Sequence, residues 1–154
     1  MLIASHDQTY LRPQVMPQGH AMLRGCRVLI VEDEALVAML IEDGLSDAGA
    51  QIVGSVGTVP EALQIIERVA HSSGLDAAVL DINLAGEAVT PVADRLAALG
   101  VPFLFATGYG AGCDTGGHRA ATVLHKPFDA ERLIDAVSTI MPFIPDGAAA
   151  SQEE

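Results

Sequence analysis

The chain alternates between two hydrophobic patterns, and this alternation constrains its fold more than any other feature. Short apolar segments rich in branched residues, typical of buried strands, are separated by segments whose apolar residues recur at helical spacing. Continuous apolar strands between amphipathic helices indicate a parallel sheet covered on both faces. We therefore predict an α/β fold with a doubly wound, five-stranded parallel sheet. The predicted strands are 27–33, 51–56, 76–81, 101–107 and 122–128.

The first connecting segment, 34–49, has the pattern of an amphipathic helix. Leu36, Leu40 and Leu45 fall at helical spacing. We expect this stripe to enter the core and the acidic opposite face to stay in solvent. Gly49 is well placed to end the helix, because glycine readily adopts the left-handed conformation that is common there.

The other connecting helices have recognisable start signals, with one exception. Thr58 followed by Glu61 predicts a capping box at the start of the second helix. A third helix is predicted over 90–100, and Asp129 is expected to cap the last one. The stretch 108–121 is rich in glycine and weakly patterned, so that the fourth helix of the alternation is indistinct.

Composition bounds the class of protein. Half of the 154 residues are hydrophobic, which suffices for a core without disulfide or metal support. The net charge of -12 argues against binding nucleic acid or an anionic membrane. The spacing of Cys26 and Cys113 fits neither a metal site nor a redox motif. Two such thiols are typical of a protein in a reducing compartment. With no signal peptide and no span of membrane length, we predict a cytoplasmic protein.

The pattern divides the chain into three parts. We predict a flexible N-terminal arm over 1–24, a single folded domain over 25–142, and an acidic C-terminal tail over 143–154. Neither the arm nor the tail is long enough to form an output domain. The glycines of 108–117 are interpreted as a mobile loop, because no Gly-Lys-Ser/Thr sequence follows them. His118 and His125 are interpreted as ordinary polar residues.

Polar residues stand where four of the predicted strands end. Glu32 and Asp33 follow the first strand, and Asp81 follows the third. Thr107 ends the fourth, and Lys126 lies in the fifth next to Pro127. An isolated aspartate at a strand end is an ordinary turn residue. Because ligands in such folds bind outside the carboxyl ends of the strands, however, these side chains are expected to converge in one crevice.

Clustered carboxylates of this kind suit a hard divalent cation. They repel one another and titrate as a group, and oxygen ligands with retained water favour Mg²⁺. A carboxylate beside such a metal can act as a nucleophile and form an aspartyl-phosphate, while a lysine and a hydroxyl stabilise the phosphoryl oxygens. The sequence therefore predicts phosphoryl transfer onto an aspartate, and the central position of Asp81 favours it as the acceptor.

Four motifs carry a resemblance to a known family. The strings VLIVEDE, AAVLDINL, FLFAT and LHKPF resemble, in order, the acidic pair, the phospho-acceptor strand, the switch-hydroxyl strand and the Lys-Pro motif of bacterial response-regulator receiver domains. The resemblance covers about residues 26–141. Each motif alone is weak, but four of them in order on the appropriate strand ends form a strong signal.

The resemblance implies a metal site and a phosphoryl site. Glu32 and Asp33 match the acidic pair that holds Mg²⁺, Asp81 matches the phospho-acceptor, and Asn83 matches the position whose backbone carbonyl completes the metal shell. In the same way, Thr107 matches the hydroxyl that moves to the phosphoryl group and Lys126 the ammonium that pairs with it. Pro127 matches a proline that usually follows a cis peptide bond.

The chain departs from the common family pattern at the switch aromatic. That residue usually lies three positions before the lysine, where this chain has Val123. The string FATGYG (105–110) instead closely resembles the FATGUY subgroup of receivers, whose fourth helix is often poorly formed. We hypothesise that Tyr109 and the loop around it report phosphorylation in place of a residue at 123.

The resemblance implies a single-domain response regulator of a two-component phosphorelay. Such a protein takes its phosphoryl group from a sensor histidine kinase or a histidine phosphotransfer protein, often docked at the first helix, and signals through contacts with a downstream protein. Beyond its own phosphorylation and slow dephosphorylation it is not an enzyme. The alternative is a phosphorylation-independent adaptor of the same fold. A haloacid-dehalogenase-type phosphatase is disfavoured, because it needs an aspartate where this chain has Asn83.

Overall fold

A computed structural model describes residues 22–72, 74–108 and 114–142 of the chain. The strands are β1 (Arg27–Val31), β2 (Gln51–Val56), β3 (Ala77–Leu80), β4 (Asn83–Leu84), β5 (Glu87–Ala88), β6 (Phe103–Thr107) and β7 (Thr122–His125). Five parallel strands form the main sheet, in the spatial order β2-β1-β3-β6-β7, and β4 and β5 form a separate antiparallel pair. The predicted α/β fold with a five-stranded parallel sheet is thereby confirmed.

Helices cover both faces of the sheet. The first and last helices pack together on one face and the second and third on the other, which gives three layers. None of the helices within the described ranges has the length and apolar character that crossing a bilayer requires. The helices are α1 (Ala35–Asp47), α2 (Val59–Ala70), α3 (Thr90–Ala98) and α4 (Ala130–Ile140).

The central strands are apolar on both sides because both sides are covered. Every residue of β3 is buried, and β1 is buried from Val28 to Val31. Two clusters result, one on each face, with Leu29, Ile66 and Phe105 in the first and Ile30 in the second. The chain passes from β1 to one edge of the sheet through β2 and then returns to β3. The crevice where a ligand is expected therefore lies at the carboxyl ends of β1 and β3.

One half of the predicted capping box of α2 forms, and so does the predicted Asp129 cap of α4. The Thr58 hydroxyl accepts a hydrogen bond from the Glu61 backbone N–H at 3.3 Å and donates one to Glu61 Oε1 at 3.1 Å. At the start of α4, Asp129 Oδ1 accepts the Arg132 backbone N–H at 2.9 Å. Gly49, after α1, has a φ of +98°, the left-handed conformation expected at a helix end.

The prediction that Leu36 and Leu40 belong to the core is wrong. Their exposed fractions are 74% and 69%, and the buried face of α1 instead carries Ala38, Ile41, Gly44 and Leu45. A Cβ at Gly44 would lie 3.4 Å from the Ala130 Cβ of α4, so that the small residues of α1 allow the close approach of that helix. The buried face of α1 is therefore the one that packs closely against α4, and not the one that carries the large apolar side chains Leu36 and Leu40.

The segment after Asp81 is not a plain loop. Asn83 to Ala88 form a short hairpin whose two turn residues, Ala85 and Gly86, have φ values of +54° and +97°. Positive φ at both positions is typical of a type I′ turn. The sequence offers no alternating pattern long enough to predict a two-residue strand pair.

The structure covers only part of the predicted arm and loop, and none of the predicted tail. Residues 1–21, 109–113 and 143–154 lie outside the described residues, and with them most of the predicted arm and the whole predicted tail. Leu23, which falls in the predicted arm, is buried, and its backbone N–H donates to the Ala48 carbonyl at 2.8 Å. The described residues of the indistinct helix, 114–121, include turns and no helix.

Candidate phosphoryl-acceptor site

Three carboxylates meet at the carboxyl ends of β1 and β3. Glu32 and Asp81 directly follow these strands and are buried, with exposed fractions of 4% and 7%, whereas Asp33 is exposed. One oxygen from each of the three lies within 4.8 Å of the others. Parallel pairing of Val31 with Leu80 sets this distance, because it brings the two strand ends side by side.

Lys126 connects the two buried acids. Its Nζ lies 2.9 Å from Glu32 Oε1 and 3.3 Å from Asp81 Oδ2, and more loosely, at 3.8 Å, from Glu34 Oε1. Its backbone N–H donates to the Thr107 carbonyl at 2.8 Å, which ties the residue after β7 to the end of β6. The Lys126–Pro127 peptide bond is cis.

Burial dominates the titration of Glu32. Removal from water raises the pKa of this carboxyl above its ordinary value, and the charge of Asp81 raises it further. The hydrogen bonds from Lys126 and from the Glu34 backbone N–H lower the pKa, but they do not offset the burial. Glu32 therefore depends on a nearby cation to hold its charge.

The opposite balance governs Lys126. Burial is the largest single influence and lowers the pKa of the ammonium, but the hydrogen bond that it donates to Glu32 and the charges of Asp81 and Glu32 together outweigh this effect. The net pKa is raised above that of an exposed lysine. The ammonium group is therefore present at neutral pH, between the two buried carboxylates.

Asn83 is held in the hairpin that borders the acids. Its backbone N–H points at Asp81 Oδ1 across 3.4 Å, and its side-chain Oδ1 accepts the Gly86 backbone N–H at 2.6 Å. The side chain of Asn83 thus closes the hairpin, while its main chain stays beside Asp81.

An open crevice lies over the carboxylates. Its volume is about 390 Å³, and its lining residues are Asp33, Glu34, Asp81, Asn83, Ala85, Gly86, Gly108 and Lys126. Thr107, at the end of β6, is fully buried immediately before Gly108. The crevice therefore has two walls, the β4–β5 hairpin on one side and the ends of β6 and β7 on the other.

The structure brings together most of the residues predicted for the site. Glu32, Asp33, Asp81 and Lys126 form one cluster, and Asn83 lines the crevice beside them. The predicted switch residue Tyr109 lies outside the described residues.

Sequence reasoning missed part of the crevice wall. Glu34, the first residue of the segment 34–49 that was predicted as a helix, precedes α1, and its side chain approaches Lys126. Its place directly after the acidic pair was the available signal. Ala85 and Gly86 carried no signal, because their contribution depends on the short hairpin.

The donor set fits a hard divalent cation. Glu32, Asp33 and Asp81 offer oxygen atoms alone, close enough together to share one ion, and Asp33 is open to water. Such a set matches the oxygen ligands and retained waters that Mg²⁺ prefers.

Comparisons with known proteins agree with this geometry. Residues 28–138 match the model of the response regulator receiver domain. SdrG from Sphingomonas melonis Fr1 is 44% identical, with a TM-score of 0.60, over 75% of this chain and 92% of that one. The receiver domain of PhyR from Erythrobacter litoralis is 26% identical, with a TM-score of 0.64, over 79% of this chain and 98% of that one.

A longer relative has the same fold in part of its length. The response regulator PhyR from Brucella abortus is 26% identical, with a TM-score of 0.66, over 95% of this chain, which spans only 59% of that protein. Comparison with curated proteins gave no match. The match to the family model over most of the folded chain, together with the crevice at the strand ends, shows that the protein belongs to the response regulator receiver domain family.

Proposed function

We propose that the chain is a response regulator that accepts a phosphoryl group from a phosphohistidine onto Asp81 and signals through protein contacts. The observation that carries this proposal is the position of the Lys126 ammonium, 2.9 Å from Glu32 and 3.3 Å from Asp81 at the floor of an open crevice. Members of the family interact with kinases or phosphotransfer proteins and with downstream proteins, which agrees with a crevice open to a large donor.

The proposed reaction uses Asp81 as the nucleophile. One carboxylate oxygen attacks the phosphorus atom, the P–N bond of the phosphohistidine breaks, and the electron pair of that bond stays on the donor imidazole. Asp81 Oδ2 contacts Lys126, whereas Oδ1 faces the Asn83 backbone N–H at 3.4 Å. Lys126 and the Thr107 hydroxyl would then bind the phosphoryl oxygens, Thr107 after a movement out of its buried position.

We further propose that Glu32, Asp33 and Asp81, with the backbone carbonyl of Asn83, hold Mg²⁺ in the active protein. When bound, Mg²⁺ offsets the negative charge of the phosphoryl oxygens. The cation would also stabilise the charged form of Glu32, because burial raises the pKa of this carboxyl. Asp33 is the open ligand of the set, because it is exposed.

We place the chain in the FATGUY subgroup of receivers and propose that Tyr109 serves as its switch aromatic. The string FATGYG at 105–110 supports this assignment, as does Val123 at the usual aromatic position. In this proposal Tyr109→Ala abolishes the conformational response to phosphorylation and leaves the phosphoryl adduct on Asp81 intact.

The outward face of α1 offers a docking surface for the phosphodonor. Leu36, Met39 and Leu40 are half or more exposed, and Met39 and Leu40 lie one helical turn after Leu36, close behind the acidic residues of the site. Exposed apolar side chains grouped in this way mark contact surfaces. We propose that the kinase or phosphotransfer protein packs against them while its histidine reaches Asp81.

The proposal is tested by intact mass after incubation with Mg²⁺ and acetyl phosphate. We expect a single phosphoryl adduct on the wild type and none on Asp81→Asn. Asp135→Asn, an exposed change of the same kind on α4, serves as the matched control and should be phosphorylated like the wild type. Absence of an adduct from acetyl phosphate and from a phosphorylated histidine phosphotransfer protein would overturn the proposal and leave the phosphorylation-independent adaptor.

The docking surface is tested separately by comparing two phosphodonors. In Leu36→Ser/Leu40→Ser we expect transfer from a phosphotransfer protein to slow about tenfold or more, because two apolar contacts are lost. Phosphorylation by acetyl phosphate, which needs no docking, should not change. Leu99→Ser, an exposed leucine after α3, is the control. Equal loss with both donors would show that the substitutions disturb the site itself.

A further inference from the structure

The segment 114–121, between β6 and β7, is held against α3 by a contact of His118. His118 Nε2 lies 2.7 Å from Asp94 Oδ1, and the His118 ring meets the ring of Phe103 edge to face, with centroids 5.3 Å apart. The side chain of His118 is only 19% exposed, although the segment lies at the surface. The contact therefore combines a side-chain hydrogen bond with aromatic packing.

A second contact fixes the same segment two residues earlier. Gly116 has a φ of +62°, and a Cβ at this position would lie 2.6 Å from Thr90 Cγ2 and 2.7 Å from Thr90 Oγ1. Only glycine fits so closely against the start of α3. We call the two contacts, Gly116 on Thr90 and His118 on Asp94, the clasp.

Each side of the clasp is connected along the chain to one wall of the crevice. Thr90 begins α3, four residues after Gly86 of the hairpin wall. Gly116 and His118 lie in the connection between β6 and β7, which carries Thr107 at one end and leads to Lys126 at the other. We therefore expect a change in the distance between the walls to act on the clasp.

We propose that the clasp holds the unphosphorylated conformation and that phosphorylation of Asp81 weakens it. The inference rests on the proposed function of the site and adds how that site is coupled to the surface. A phosphoryl group on Asp81 draws Thr107 and Lys126 of one wall toward it and occupies space beside the hairpin of the other. The close contact of Gly116 with Thr90 has no room to absorb such a movement.

Coupling of this kind is reciprocal. If phosphorylation weakens the clasp, then removal of the clasp must favour phosphorylation by the same factor. The His118–Asp94 pair is partly exposed, and pairs of this kind are expected to shift an equilibrium by about two- to fivefold. We therefore expect Asp94→Ala to increase the ratio of phosphorylated to unphosphorylated protein by about two- to fivefold at a fixed, limiting acetyl phosphate concentration.

The chain offers a second way to break the clasp and a matched control. Gly116→Ala places a methyl group against Thr90 and should have the same effect as Asp94→Ala. Glu67→Ala removes a comparable exposed pair that also involves α3, since Glu67 Oε2 on α2 lies 2.6 Å from Arg95 Nε on α3, but this pair joins α3 to α2. The control should be phosphorylated like the wild type.

Hydrogen exchange reports the clasp directly. With Mg²⁺ and beryllofluoride, which mimics a phosphoryl group, we expect faster exchange over 114–121 in the wild type and little further change in Asp94→Ala. Unchanged exchange in this segment together with equal phosphorylation of Asp94→Ala and wild type would overturn the clasp. A wild type that takes no adduct at all would overturn the proposed function instead, so that the two failures are distinguishable.

Discussion

Lys126 shows how a single residue makes the site possible. Two carboxylates buried at adjacent strand ends repel each other and lose hydration, and a cation between them offsets both costs. Because the Lys126 backbone is bonded to Thr107 and its ammonium to Glu32 and Asp81, the ends of four strands are joined through one residue. If Asp81 is phosphorylated as proposed, we expect these contacts of Lys126 to be redistributed.

Cys26 gives a prediction at the same scale, away from the site. It is 4% exposed, and burial, with a smaller contribution from the charge of Asp76, raises the pKa of its thiol from 9.0 to about 11. Between pH 9 and 11 the unfolded chain loses this proton and the folded protein keeps it. The free energy of unfolding must therefore fall as pH rises through this window, by up to about 3 kcal/mol for this thiol.

Cys26→Ala removes this dependence and so provides the measurement. At pH 8 we expect the variant to be less stable than the wild type by about 1 kcal/mol, because it loses buried side-chain volume. As pH rises toward 11 the difference should shrink and then reverse. Guanidinium unfolding at pH 8, 9 and 10, with Cys113→Ser in both proteins, checks it. If the difference in unfolding free energy between the two proteins stays constant with pH, the raised pKa of the buried thiol is contradicted.

At the scale of elements, sequence patterns predicted what depends on neighbours along the chain. β2 occupies the predicted residues 51–56, and Thr58 caps α2 by accepting the Glu61 backbone N–H. The predicted strand ends also brought Glu32 and Asp81 into one cluster, because neighbouring parallel strands end at the same edge of the sheet. These features follow from periodicity and local hydrogen bonding, which a single sequence contains.

Features that depend on contacts between distant segments were missed. The orientation of α1 follows from the close approach of α4 at Gly44, so that Leu36 and Leu40 face outward although they fit the helical period. The clasp likewise joins Gly116 to Thr90 across the fold, and His118 was interpreted as an ordinary polar residue. No pattern within one segment reports where a second segment will pack.

The capping box of α2 provides the prediction at this scale. Thr58→Ala removes the hydroxyl that accepts the Glu61 backbone N–H, and we expect the free energy of unfolding to fall by about 1 kcal/mol. Thr139→Ala in α4 is the control. Its hydroxyl donates to the Asp135 carbonyl inside a helix at 2.8 Å, and alanine is the better helix former there. The control should be unchanged or slightly more stable, and equal losses in both variants would contradict a specific role of the cap.

Charge is the property that distinguishes the molecule as a whole. The net charge of -12 is concentrated further at the crevice, where Glu32, Asp33 and Asp81 share a small volume with one ammonium group. A charge of this size opposes the compact state through repulsion and attracts cations from solution. Any salt will relieve the general repulsion, but only a divalent ion that fits between the carboxylates should stabilise the protein beyond that effect.

Binding of Mg²⁺ should therefore be visible in the stability of the whole protein. At a concentration 100 times the dissociation constant we expect the free energy of unfolding to rise by about 2.7 kcal/mol, because the ion binds only the folded chain. Asp33→Asn should lose most of this gain without being less stable in EDTA, since it removes a mutually repelling charge. Asp43→Asn, an equal change of charge on the exposed surface of α1, should keep the gain. Urea unfolding with MgCl₂, against NaCl at equal ionic strength, separates binding from screening, and an equal response of Asp33→Asn and Asp43→Asn would exclude Asp33 as a ligand.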